Sequence, residues 1–505
     1  MADDERELLH GLIEELREQL RTSQRENARL RHQLEQAVRR LYGRKSERRD
    51  PNQGELDLGA DPAPPTEEEG SRGPETEEEV ESARARSRRG RKKLPKDLPR
   101  KRIVLEPEAK DLVCPCCEGE RRRIGSDITE ELEYEPAVLY INEYERPKYA
   151  CPRCEEGVVQ AALPARPIEK GRPGPGLLAH VVVSKYSEHL PLYRQETVFP
   201  RAGVAISRRT LCDWVRAVAE LGEPIVDFMK NESVLTSKVI HSDDTRITVQ
   251  DPRHPGGSRS GYLWVYGGDQ DDLVYDFTPS RSRDGPLAFL GDYAGYLQAD
   301  AYSGYDEVFR MGRVIEVGCW AHARRYFFEA VKTALEPATE LLAQIRRLYA
   351  VERAAKDLNA TARRDLRQEK SDPILQQIEE TLEEIAPHHL PKSPMGEAIG
   401  YARRQWRALT RYAEDGDLEI DNNASERALR MVAVGRKNWL FAGSDAGGRR
   451  AAILYSLIGT CKRIGIDPFA YLRDLIARVS THPMRRINEL TPRGWKAERA
   501  AACTP

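Results

Sequence analysis

Residues 237–250 read SKVIHSDDTRITVQ, and four similar runs follow: GYLWVYGG (261–268), DLVYDFTPS (272–280), GYLQAD (295–300) and RVIEVGCW (313–320). Each is rich in β-branched and aromatic residues and bounded by turn-forming ones, as short strands are. A helix is expected over 283–293. The order strand, strand, strand, helix, strand, then helix or strand predicts a mixed α/β core over residues 236–320.

Two acids within these runs stand in costly positions. Asp243 lies mid-strand and Asp300 ends a strand; a third acid, Glu426, opens a helix in DNNASERALR (421–430). A carboxylate so placed is unfavourable unless it is paired or binds a metal. Three carboxylates brought together can hold two divalent cations roughly 3.5–4 Å apart, clamping the attacking and leaving oxygens of an in-line phosphoryl displacement. Oxygen ligands suit Mg2+ or Mn2+. The chain holds 82 acidic residues, so context alone makes this a weak selection. There is no GxxxxGK[ST] loop, and ATP chemistry is not implied.

Beyond the core, residues 321–419 carry apolar residues at helical spacing, with Leu341, Leu342, Ile345 and Leu348 on one stripe. They are expected to form a helical insertion of structural role. Residues 420–482 predict two helical parts joined by a Gly-rich basic turn, GSDAGGRR (443–450). Arg427, Arg430, Arg436, Lys437, Arg449 and Arg450 surround Glu426. They read either as a solvated helix face or as cations facing a DNA strand. The tail 483–505 is expected to be peripheral.

Upstream, residues 170–222 predict three helices: 174–185, 192–200 and 207–221, the last capped by Ser207. Helix, Gly-containing turn, helix is the helix-turn-helix order. Arg208, Arg209 and Thr210 would then face DNA; a plain packed bundle is the competing reading. Residues 103–165 hold two CxxC pairs, Cys114/Cys117 and Cys151/Cys154. Two thiolates from each knuckle complete a tetrahedral zinc site. The 33 residues between the pairs exceed the common spacing, and Cys116 is an alternative ligand to either neighbour.

Residues 43–102 are expected to be a charged, disordered linker. Eight Glu against one Arg occupy 67–81, and eleven Arg or Lys against one Asp occupy 84–102. Residues 1–42 carry a heptad seam through Leu9, Ile13, Leu16, Leu20, Leu30, Leu34 and Leu41, with Asn27 at an a position. This predicts a coiled coil and a homo-oligomer. No apolar run approaches the roughly 18 residues of a membrane span, and MADDERELLH lacks the regions of a secretory signal. A soluble intracellular protein without a membrane partner is expected. Nine Cys in 505 residues exclude a disulfide scaffold.

Several long motifs then appear together and in order. They are LYGRKSERRD (41–50), the paired CxxC module, SKYSEHLPLYRQETVFPRAGVAISRRTLCDWV (184–215), HSDDT (241–245), LQADAYSGYD (297–306), GCWAHARRYFFEA (318–330) and DNNASERALRMVAVGRKNWLFAGS (421–444). In these the chain resembles the DDE transposases of the insertion-sequence family sixty-six, the TnpC-type proteins, over nearly its whole length. The resemblance implies a ribonuclease-H-like core and a catalytic triad at Asp243, Asp300 and Glu426, binding magnesium or manganese. It also implies strand cleavage and transfer at the terminal inverted repeats of a mobile element. The family shows Asp-Glu-Thr where this chain has Asp243-Asp244-Thr245; the first acid is assigned to Asp243, and the role of Asp244 stays open.

Asp244, Cys319 and His322 are assigned to the surround of the metal-binding acids. The last two resemble a Cys-x-x-His signature of transposases with helical insertions, although a lone CxxH also suits buried structure. Arg324 and Arg325 follow as candidate phosphate contacts, with Arg427, Arg430, Arg436 and Lys437. Implied partners are double-stranded DNA, both end and target, and companion proteins of the same element. The implied location is the bacterial cytoplasm, at the nucleoid. A catalytically inactive DNA-binding regulator or relic is the alternative, and a zinc hydrolase lacks an open zinc site.

Overall fold

The structure, a computed structural model, describes residues 139–143, 145, 148–149, 159–160, 166–168 and 173–502. The heptad, the linker and the four zinc-module cysteines lie outside the described residues. Two short strands, β1 (Lys148–Tyr149) and β2 (Val159–Gln160), pair antiparallel.

The centre is a five-stranded mixed sheet of β3 (Val239–Gln250), β4 (Ser258–Gly267), β5 (Leu273–Thr278), β6 (Gly295–Gln298) and β7 (Val314–Val317). The spatial order is β5-β4-β3-β6-β7. β3, β4 and β5 pair antiparallel, while β6 runs parallel to both β3 and β7. At its outer end β3 alternates, with Ile247 and Val249 buried and Arg246, Thr248 and Gln250 exposed. On β4, Leu263, Trp264, Val265 and Tyr266 are all buried, because both faces of the sheet are covered.

Among the described residues three helices precede the sheet: α1 (Pro175–Tyr186), α2 (Leu192–Val198) and α3 (Arg208–Met229). The Ser207 hydroxyl caps α3 by accepting from the Thr210 N–H at 3.2 Å. α3 runs eight residues past its expected end at 221, through Pro224. Its apolar stripe continues there through Gly222, Ile225, Val226 and Met229, all buried. Within the core, α4 (Asp284–Leu290) and α5 (Asp306–Arg310) flank β6 in sequence.

Residues 320–410 are helical: α6 (Trp320–Ala330), α7 (Leu335–Ala355), α8 (Ala360–Ile385), α9 (Pro394–Arg404) and α10 (Trp406–Thr410). The stripe Leu341, Leu342, Ile345 and Leu348 is fully buried, in one apolar cluster with Val239 and Val317 of the sheet. The insertion therefore shares its core with β3 and β7. At its far side Arg367 is fully buried. It donates to both Glu352 oxygens at 2.9 and 2.6 Å, and to the carbonyls of Tyr412, Asp415 and Leu418 at 2.8–3.0 Å.

The chain returns to the sheet through α11 (Asn423–Trp439), α12 (Asp445–Arg463) and α13 (Pro468–Arg478). The run GSDAGGRR is not the expected turn. Its last six residues open α12, where the Ser444 hydroxyl accepts from the Gly447 N–H at 3.1 Å. Gly448 is used for close approach: a Cβ there would lie 2.5 Å from the Phe277 ring. The tail is not peripheral either. A 3-10 turn (Met484–Leu490) leads to α14 (Pro492–Ala502), whose Trp495 is buried edge-on against Tyr471. Among the described residues no helix is long and apolar enough to cross a membrane.

Arg367→Met should destabilise the chain by about 3–5 kcal/mol, because it strands the Glu352 carboxylate and three carbonyls. Adding Glu352→Leu should recover much of that loss. The midpoint of urea denaturation tests both.

Candidate active site

Parallel pairing places the two Asp side by side. Val239 lies opposite Tyr296 and His241 opposite Gln298, an offset of 57 residues. The same number separates Asp243 from Asp300. Asp243 lies two residues beyond the last pair on β3, and Asp300 two residues past the end of β6. Neighbouring strands lie about 4.8 Å apart, so the two carboxylates meet at the carboxyl end of the parallel pair.

Glu426 comes from the first turn of α11, which packs against β3 and β4. Its delivery depends on Asn422, which is completely buried. The Asn422 side chain donates to the Ser242 carbonyl at 2.7 Å, and its backbone N–H donates to Cys319 Sγ at 3.2 Å. One residue thus ties the start of α11 both to the strand that carries Asp243 and to the junction of β7 and α6. Gln298, also buried, adds a second tie: it donates to the carbonyls of Gly318 at 3.3 Å and Glu419 at 2.6 Å.

The acids feel one another. Burial first, then the charge of Asp300, pushes the Asp243 carboxyl up to about 7; Asp244 and Glu426 push the same way, and the Asp244 N–H at 2.7 Å opposes them. Asp300 Oδ1 is buried without a hydrogen-bond donor. Converging carboxylates, one with an oxygen that has no donor, fit a divalent cation better than they fit one another. Among the described residues, however, no three His, Cys, Asp or Glu side chains are drawn close enough to hold an ion as they stand.

His322 Nε2 and Arg325 Nη2 approach Glu426 Oε1 at 3.9 and 3.8 Å. They lie three residues apart on α6 and therefore share a face. Cys319 is buried, its thiol pushed up to about 12 by desolvation. It serves as a hydrogen-bond acceptor and is no nucleophile at neutral pH. His241, on β3, is pushed down to about 4, first by burial and then by the charge of Arg463, with Arg427 adding to it. Asp244 is raised by burial, against the opposing effect of Arg281.

The other sequence candidates divide. Arg427, Arg430 and Lys437 are exposed on α11, and Arg324 is half-buried on α6. Arg436 donates to the Thr245 hydroxyl and the Arg246 carbonyl, pinning the end of α11 to β3. Arg208 and Arg209 are exposed and Thr210 is half-buried at the start of α3. Among the described residues these three share no hydrogen bond or ion pair with the acids. Sequence reasoning missed Asn422, Gln298 and Arg281. Asn422 stands four residues before Glu426, but nothing local marks any of them.

Comparison with known proteins gives the family of the chain. Residues 170–450 match the family model described as the IS66 family of transposases. Residues 111–155 match a zinc-finger binding domain of transposase IS66, and residues 29–103 match a transposase C of IS166 homeodomain. Residues 456–493 match the IS66 C-terminal element. The chain belongs to the IS66 transposase family. Among its relatives are two proteins of Sinorhizobium fredii (strain NBRC 101917 / NGR234), named uncharacterized proteins y4jD and y4hP. The first is 34% identical over 498 residues, covering 93% of this chain and 95% of the relative. The second is 34% identical over 506 residues, covering 93% and 89%.

Two outcomes follow from the geometry. Asn422→Ala should cost about 1–3 kcal/mol in stability, since it leaves the buried Ser242 carbonyl without its donor. For Asp243, the unfolded chain releases its proton near pH 3.9, roughly the ordinary Asp value. The folded chain holds that proton up to about 7. Between these values the folded state carries the extra proton, so stability falls as pH rises from about 4 to about 7. Asp243→Asn should flatten this part of the pH–stability curve; an unchanged slope would place the proton elsewhere.

Proposed function

We propose that this chain is a DNA transposase that binds the terminal inverted repeats of its mobile element and performs metal-dependent strand cleavage and strand transfer. What supports this reading is that strand pairing sets Asp243 of β3 beside Asp300 past the end of β6, with Glu426 in the first turn of α11 close enough for its charge to raise the Asp243 carboxyl. The sheet order, three antiparallel strands joined to two parallel ones, supports a ribonuclease-H-like core with the first acid on its central strand.

Asp243, Asp300 and Glu426 would hold the divalent cations, Mg2+ or Mn2+. When bound, these lower the pKa of water and neutralise charge on the attacking and leaving oxygens. Asp243 must give up its proton for that purpose, which links cation affinity to pH near 7. His322 and Arg325 orient Glu426 from the insertion side. Arg325 is exposed, as are Arg427 and Lys437, and these cations suit the phosphates flanking the scissile bond. No covalent enzyme intermediate is required, so no Ser or Tyr nucleophile is assigned.

End recognition is assigned to the zinc module of Cys114, Cys117, Cys151 and Cys154, to the basic stretch 84–102, and to α1–α3 with Arg208, Arg209 and Thr210. Pairing of two ends is assigned to the heptad of residues 1–42.

The test is cleavage of a labelled duplex carrying the element's own terminal repeat, with Mg2+ and the companion proteins of the element. The wild type should nick at the repeat boundary. Asp243→Asn, Asp300→Asn and Glu426→Gln should each lose nicking and still shift the duplex in a gel. Binding without nicking by the wild type would favour an inactive regulator. Mn2+ should raise the melting temperature of the wild type at pH 8 more than at pH 6, and should do so little in Asp243→Asn.

A further inference from the structure

Two adjacent acids on β3 have opposite surroundings. Asp244 is paired: its side chain is only 5% exposed, and Arg281 approaches it with two nitrogens, Nε at 2.9 and 3.1 Å from its two oxygens and Nη2 at 2.7 Å. The same Nη2 lies 3.8 Å from Asp300 Oδ2. Asp243, by contrast, accepts the Asp244 N–H and has no ion pair among the described residues.

We propose that Arg281 is the built-in counter-ion of the acidic cluster. It occupies Asp244, screens Asp300, and so leaves Asp243 rather than its neighbour to the divalent cation; this rests on the function proposed above. The forked guanidinium matches a carboxylate in a way that a lysine ammonium does not. Nor is Arg281 a loose surface side chain. Its guanidinium lies 3.9 Å over the ring of Tyr302, and the Tyr302 hydroxyl donates to the Arg281 carbonyl. Tyr302 in turn closes a turn on Asp300, its N–H donating to the Asp300 carbonyl at 2.6 Å. From the other side, Trp264 donates to the Thr278 hydroxyl at 2.7 Å, and that hydroxyl donates to the Ser280 carbonyl at 2.8 Å.

The turn that presents Asp300 therefore also holds Arg281 against Asp244. This lets an acidic cluster fold without any cation present. It also gives the second acid of HSDDT a role, as the anchor of a positioning residue. Arg281 touches no reacting atom in this assignment; it acts through Asp244 and Asp300.

The experiment uses the full-length chain, with Arg281→Ala, Arg281→Lys, Asp244→Asn and the double variant Arg281→Ala/Asp244→Asn. In EDTA, Arg281→Ala should melt a few degrees below wild type, about 3 °C for a partly exposed pair. The double variant should regain most of that loss, since the stranded carboxylate is gone. Arg281→Lys should fall between wild type and Arg281→Ala, and it carries the test if Arg281→Ala does not fold. With Mn2+, the melting temperature of Arg281→Ala should rise more than that of wild type. Asp244→Asn should keep its Mn2+ response, while Asp243→Asn loses it.

Equal melting of Arg281→Ala and wild type in EDTA, or a double variant less stable than Arg281→Ala, would overturn the counter-ion role. Loss of the Mn2+ response in Asp244→Asn would overturn the division of labour between the two acids. A wild type indifferent to Mn2+ would instead sink the proposed metal chemistry, and the coupling measured in EDTA would still decide the role of Arg281.

Discussion

Asn422 joins parts of the chain that are far apart in sequence. Its amide reaches the carbonyl next to Asp243, 180 residues upstream, and its backbone N–H reaches Cys319, 103 residues upstream. Both bonds are buried, where an unmet donor or acceptor is expensive. A helix that carries an acid could rest against a sheet in several rotations. Two hydrogen bonds from one buried residue remove that freedom and aim the first turn of α11 at the middle of β3, beside the end of β6. Everything proposed for Glu426 depends on this clasp.

The clasp also explains how so long an insertion is tolerated. Residues 320–410 leave from the end of β7, and the chain returns beside it. The Gly318 N–H donates to the Ala408 carbonyl, and the Trp320 N–H donates to the Ile420 carbonyl. With its two ends hydrogen-bonded together, the insertion puts little strain on the sheet. Closing a longer loop costs only slowly growing entropy. Its apolar cluster includes Val239 and Val317, and α6 sends His322 and Arg325 toward Glu426. The insertion thus sets two side chains beside Glu426, in addition to the structural role its composition suggested.

Local pattern made much of this legible. Five strand-like runs became the five strands of the sheet, and the helical stripe of residues 341–348 became core. Context alone marked Asp243, Asp300 and Glu426 only weakly among 82 acidic residues, and it was the family resemblance that singled them out. What stayed hidden was long-range. Gly448 looks like part of a turn until Phe277 is seen against the helix, since close packing and chain reversal both call for glycine. The tail looks peripheral until Trp495 meets Tyr471. Arg281 sits in a Ser- and Arg-rich loop that composition cannot tell from solvent-facing sequence; only the fold brings Asp244 to it.

The outer strand β5 has its free edge sealed by a helix rather than by another strand. The N–H groups of Leu273 and Tyr275 donate to the hydroxyls of Thr460 and Ser456 on α12, at 2.9 and 2.8 Å. An open edge invites pairing with other chains. During synthesis, β5 leaves the ribosome more than 160 residues ahead of α12. At typical elongation speeds that is a delay on the order of ten to thirty seconds. A nascent chain passes through this interval with the sheet border uncovered, and through most of it before Glu426 is made, so it is sticky before it is complete. Chaperone demand should concentrate in that window, and a chain broken off in it before residue 426 would lack Glu426 altogether.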